Sequence, residues 1–139
     1  SMILVQPESS PLWAVDEVEG FFDRLGFARV VRCSAEQHAH MIAFTSQLCH
    51  VVSSAYIKSP EALKHNGYSA GSYKDLTRVA KLNEDMWTEL FLLNRGPLVQ
   101  EIDEIIKHLT EYRDAIAGGE AERLRELLRD GRMIKESIG

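Results

Sequence analysis

Cysteine is scarce in this 139-residue chain. Cys33 and Cys49 are the only two, which is too few for a disulfide framework. No secretory signal is read ahead of them, so a reducing, cytoplasmic compartment is the expectation. Long apolar runs are absent as well, since none approaches the roughly 20 residues a membrane span needs. Positive charge is not in excess: the formal net charge is −5, which argues against non-specific binding to nucleic acid or to an anionic membrane surface. The familiar catalytic signatures are missing too. The chain holds no Gly-x-Gly-x-x-Gly segment, no phosphate-binding loop of the Walker type and no Cys-x-x-Cys pair. His38, His40, His50, His65 and His108 make no metal set, because His38 and His40 stand two apart on a helix, where a ligating pair wants four.

What is present suits one domain. Hydrophobic residues make up 45% of the chain, enough for a core, and charged residues 27%, too balanced a content for global disorder. Ser1-Met2 reads as a tag scar and a start methionine, outside the fold. Ile3 to Pro7 reads as a buried strand stopped by proline. Val15, Val18, Phe21, Phe22 and Leu25 follow at helical spacing, with Gly26 as the stop. Ala28 to Arg32 reads as a second strand. Strand, helix and strand in about 30 residues make a βαβ unit with parallel strands. Two parallel strands are a poor sheet alone, so residues 1–33 read as the edge of a larger α/β domain.

From Ser34 the pattern is helical only. Ser34 and Gln37 form a capping box that opens a helix through about Lys58, apolar on most sides and therefore central to a core. A short turn of helix follows Ser59-Pro60, then a helix over about 72–81, then one capped by Asn83 and running to about Asn94. Gly96-Pro97 is expected to break the chain. Leu98, Ile102, Ile105, Leu109, Tyr112 and Ile116 then recur at spacings of four and three, a coiled-coil-like seam. Gly118-Gly119 closes a hairpin. Leu124, Leu127, Leu128 and Ile134 stripe a last helix that Gly131 is expected to interrupt. Two such apolar stripes exceed what one short hairpin can bury, and a homodimer is the expected outcome.

Ser46 and His50 stand four apart on the central helix and share a face. Polar groups on an otherwise apolar helix must find partners or face a polar cavity, so His50 reads either as a core histidine satisfied by hydrogen bonds or as a ligand to something bound. Arg78 offers a planar, permanently charged fork that suits a carboxylate ligand. A helix-surface ion pair is the plainer alternative.

Taken together, Glu36-Gln37-His38, Ser46-Gln47-Leu48-Cys49-His50, Gly71 through Arg78, Met86-Trp87 and Asn94 resemble the prephenate and arogenate dehydrogenase family. Its members carry Glu-Glu-His-Asp, Ser-His-Leu-Pro-His and Gly-Gly-Gly-Phe-x-Asp-x-Thr-Arg in that order. The resemblance covers nearly the whole chain, most strongly from Ala35 to Asn94. It implies a mainly α fold: a helical dimerisation domain over 34–139, preceded over 1–33 by a βαβ remnant of a Rossmann-type nucleotide-binding domain. It implies oxidative decarboxylation of prephenate by hydride transfer to NAD or NADP, in tyrosine biosynthesis. His50, Ser46 and Arg78 would bind the substrate, a dicarboxylate, with Arg78 on a carboxylate. The cofactor, and the histidine that accepts the hydroxyl proton, would belong to an N-terminal half that this chain lacks. The chain alone is therefore expected to be inactive, to hold no catalytic, cofactor-binding or metal-binding residue, and to work as a homodimer. Ala39, Gln47, Cys49 and Ala70 depart from the family pattern. A non-enzymic helical dimerisation module is the rival from another class, and a helical lyase or mutase acting on a small dicarboxylate is a second.

Overall fold

The structure is a computed structural model that describes residues 1–68 and 70–139. Strand β1 (Met2–Val5) and strand β2 (Val30–Cys33) flank helix α1 (Leu12–Arg24). The strands pair in parallel, Met2 opposite Val30 and Val5 opposite Cys33. Met2, expected to stand outside the fold, therefore opens the first strand. Gly26 ends the turn after α1 at φ +84°, a left-handed conformation that suits glycine. Arg32 reaches from β2 back to α1, where its guanidinium donates to Asp16 at 2.7 Å and also to Glu19. Hydrogen bonding to Asp16, then to Glu19, raises its pKa further above the ordinary arginine value. Ile3 and Val5 stay exposed, so one face of this small sheet is uncovered, which parallel sheets seldom tolerate alone.

The central helical rod runs from Ala35 to Tyr56. Its capping box is reciprocal: the Gln37 N–H donates to Ser34 Oγ at 3.1 Å, and the Ser34 N–H donates to Gln37 Oε1 at 3.0 Å. The rod is not uniformly α. Helices α2 (Ala35–Ile42) and α3 (Leu48–Tyr56) are joined by a π-helical turn at Ala43–Gln47. There the Leu48 N–H reaches the Ala43 carbonyl, five residues back instead of four. Ala43, Gln47, Leu48 and Ser53 are all buried, and with Val15 and Leu98 they mark the core of the first compact unit, residues 1–98.

Beyond the rod, a 3-10 turn at Pro60–Lys64 precedes helix α4 (Gly71–Thr77), which tightens into a second 3-10 turn at Arg78–Ala80. That second turn packs against α3. Asn83 caps helix α5 (Glu84–Leu93) by accepting the Met86 N–H at 2.9 Å.

The break expected at Gly96-Pro97 falls two residues earlier, at Asn94. Helix α6 (Arg95–Ala117) takes both residues into its first turn, where proline's missing N–H has no helical partner to lose. Residues 99–139 form the second unit, a hairpin of α6 with helix α7 (Ala121–Ile138) turned at Gly119, φ +66°. Tyr112 Oη donates to the Leu127 carbonyl at 3.0 Å, and Ala115 is buried. Gly131 does not interrupt α7, which runs through it unbroken; one glycine lowers helix stability by only about 1 kcal/mol. Among the described residues no helix is long and apolar enough to cross a membrane.

Candidate functional site

His50 is the third residue of α3, half-buried, and two contacts fix its ring. Nδ1 lies 3.0 Å from the Ser46 carbonyl oxygen. A carbonyl can only accept, so Nδ1 carries the hydrogen and the lone pair of the neutral ring lies on Nε2. The ring also stacks on the Trp87 indole of α5, with centroids 3.8 Å apart and planes at 27°. Trp87 in turn leans on Phe91 at 5.3 Å. No hydrogen bond reaches Nε2 among the described residues, so that nitrogen is the ring's unused polar atom. His50 is thus held by its neighbours but not saturated by them.

Ser46 contributes twice. Its carbonyl sets the His50 tautomer, and its half-buried hydroxyl lies in the π-helical turn one residue before the buried Gln47. Gln47 anchors that turn: its Nε2 donates to the Leu90 carbonyl at 3.0 Å, and its Oε1 accepts from Asn94 Nδ2 at 2.7 Å. Asn94 Nδ2 also donates to the Ala39 carbonyl at 2.9 Å. Four segments are tied in one small polar network, two on the rod and two at the end of α5.

Arg78 begins the 3-10 turn that packs against α3. It is exposed, and among the described residues it makes no ion pair and no hydrogen bond. The surface ion pair that offered the plainer account of Arg78 is therefore not formed among them. The Thr77 hydroxyl before it is spent on the Tyr73 carbonyl at 2.8 Å. The fold places Ser46 and His50 in contact and sets the Arg78 turn against their helix. It does not join Arg78 to either of them by a hydrogen bond.

Two clefts open nearby. A groove of about 270 Å³ runs beside Trp87 between Ser54, Lys58 and Leu82. A larger cleft of about 700 Å³ is walled by Tyr56, His65 and Tyr73, where His65 stacks on Tyr73 at 4.9 Å. Neither cleft is lined by Ser46, His50 or Arg78. The larger has ligand-sized volume and a polar lining of its own in Glu61, Lys64 and His65, and the smaller groove shares Trp87 with His50. The His50 end is the candidate site because its ring is oriented there with Nε2 unused. Among the described residues no three His, Cys, Asp or Glu side chains are grouped as a metal site would need.

Sequence spacing found Ser46, His50 and Arg78 but gave no role to Trp87, Gln47 or Asn94. The available signal was an amide in an otherwise apolar rod, which has to be paired when buried.

A two-stranded βαβ unit followed by a helical rod and a helical hairpin defines a mainly helical domain with an α/β leader. Comparison with known proteins makes this specific. Residues 34–130 match the family described as prephenate dehydrogenase, dimerization domain. The cyclohexadienyl dehydrogenase of Zymomonas mobilis is 30% identical over 99% of this chain and 48% of its own length. The crystal structure of Synechocystis arogenate dehydrogenase superposes with a TM-score of 0.85 at 20% identity, over 99% of this chain and 51% of that one. The prephenate dehydrogenase of Aquifex aeolicus, solved in complex with hydroxyphenyl propionate and NAD+, gives a TM-score of 0.81 at 26% identity, over 99% of this chain and 49% of that one. The chain belongs to the prephenate dehydrogenase dimerization-domain family. It spans about half the length of these relatives.

Proposed function

We propose that this chain is the substrate-side and dimerisation part of an NAD(P)-dependent prephenate or arogenate dehydrogenase, working in the cytoplasm as a homodimer. The observation that carries the reading is the His50 ring, stacked on Trp87 and locked by the Ser46 carbonyl with Nε2 left over. A ring fixed in this way can meet a substrate oxygen without first losing rotational freedom. Arg78, exposed and without an ion pair among the described residues, supplies a two-point donor for a carboxylate of a prephenate-like dicarboxylate. Ser46 closes the same side of the site. The hydride acceptor would be held elsewhere, because dinucleotide binding relies on a Gly-x-Gly-x-x-Gly turn at a helix N-terminus and the sequence has no such segment. The open face of the β1–β2 sheet supports continuation into a nucleotide-binding domain. When bound, NAD or NADP accepts the hydride; the residues of this chain hold and orient the substrate.

The dimer reading rests on the second unit. Leu109, Ile116, Leu128 and Ile134 are each more than half exposed, an apolar surface that a second copy would cover. The negative net charge gives no support for nucleic-acid or membrane partners.

The test is prephenate-dependent NADH formation by the protein that carries this segment together with a nucleotide-binding domain, before and after His50→Leu. Activity that collapses in the variant while the fold persists is the expected result. Wild-type turnover in His50→Leu would remove His50 from the site. No prephenate-dependent turnover in either protein would favour the non-enzymic dimerisation module.

A further inference from the structure

We infer that Gln47 and Asn94 are a positioning pair: together they hold the π-helical turn that aims His50 at Trp87 and at the substrate. The inference rests on the functional reading above and extends it to two residues whose amides are spent on each other and on the Leu90 and Ala39 carbonyls.

A π turn carries one residue more than the α-helix around it and is intrinsically the less stable form. Something must hold it open. Here the last residue of the turn, Gln47, is 4% exposed and uses both ends of its amide, one on the Leu90 carbonyl at 3.0 Å and one on Asn94 Nδ2 at 2.7 Å. Asn94 lies where α5 ends, and its other amide hydrogen goes to the Ala39 carbonyl at 2.9 Å, four residues before the turn begins. The pair thus grips the rod on both sides of its irregular segment and binds it to α5, the helix that carries Trp87. Losing one residue from the turn would rotate everything after it by about 100°, the angle per residue of an α-helix. His50 follows the turn by three residues, so such a relaxation would carry the imidazole away from Trp87.

The amide at position 47 works because it donates at one end and accepts at the other. A neutral imidazole can do the same. Leucine can do neither, although it is close in size. Gln47→Leu and Gln47→His therefore separate packing from hydrogen bonding.

Two measurements decide it. In the 139-residue chain, the His50 ring protons should show the upfield ring-current shift of an imidazole stacked on an indole. Gln47→Leu should abolish that shift, and Gln47→His should restore most of it. In the full-length enzyme, Gln47→Leu should lower kcat for prephenate at least tenfold and leave the NAD+ KM within twofold, with Gln47→His again near wild type. If Gln47→Leu does not fold, Asn94→Ser takes its place, since it leaves the Gln47–Leu90 bond intact and releases only the second half of the clamp. An unchanged His50 shift and unchanged kcat in whichever variant folds would overturn the inference, and so would equal losses in the Leu and His variants. The ring-current readout needs no substrate. A lost shift in a protein whose wild type ignores prephenate would leave the clamp standing and sink the functional reading instead.

Discussion

Arg78→Lys separates a substrate arginine from a surface arginine. The side chain is exposed and has no ion pair or hydrogen bond among the described residues, so the fold draws little from it and its replacement should cost well under about 1 kcal/mol of stability. A lysine keeps the charge and approximate reach but loses the planar fork that meets both oxygens of a carboxylate. If that fork grips a substrate carboxylate, the loss is a charge-assisted contact worth about 2–3 kcal/mol. At about 1.4 kcal/mol per decade this is a roughly 30- to 200-fold fall in kcat/KM for prephenate. Most of the fall belongs in KM, because a carboxylate distant from the reacting carbon is held equally in the ground and transition states. The KM for the nicotinamide cofactor should stay put. The assay is steady-state kinetics of the full-length enzyme, with thermal melts of both proteins alongside. Wild-type kinetics for prephenate in a variant with an unaltered melting curve would refute the role given to Arg78.

Three further outcomes are expected. Sedimentation equilibrium at tens of micromolar should return the mass of two chains, and Leu109→Glu with Ile116→Glu should shift it toward one; a single-chain mass for the unmodified protein would refute the dimer. The Glu111 carboxyl should titrate below its ordinary value, chiefly because the His108 Nδ1–H donates to it at 3.0 Å, and His108→Ala should move its NMR titration upward. A depressed carboxyl stabilises the fold above its unfolded pKa, and that contribution should fade as pH falls through the folded value. Gly131→Ala should raise stability by about 0.5–1 kcal/mol through helix propensity, since the new Cβ would meet nothing nearer than Tyr112 Oη at 3.8 Å; a lower urea midpoint would contradict that.

Much of the fold could be read from spacing and caps. The capping box at Ser34 and Gln37 and the Asn83 cap lie where local chemistry places them. These features are decided within a few residues. The details that could not be read depend on partners distant in sequence or on tolerance of a local breaker. The strands shift by one or two residues because their ends are set by each other, Val5 against Cys33. Pro97 reads as a breaker until its place in a helix's first turn is known, and Gly131 reads as one although a long helix absorbs it.

The π-helical turn is the deepest of these blind spots, and it bears directly on the site. Helical spacing assigns residues to faces only while every turn holds 3.6 residues. A rod that is apolar on most sides offers no stripe whose phase could reveal an extra residue. The relation between Ser46 and His50 survived that error because both lie late in the turn or after it, where the four-residue spacing resumes, and the Ser46 carbonyl meets the His50 ring at 3.0 Å. Relations that cross the turn did not survive in the same way. His38 and Ala39, on the near side, are rotated relative to His50 by one residue's worth of helix, about 100°. Family motifs upstream and downstream of the turn therefore cannot be joined into one face by counting. The buried amide of Gln47, which takes its partners from Leu90 and Asn94 outside the rod, marks the place where the count fails.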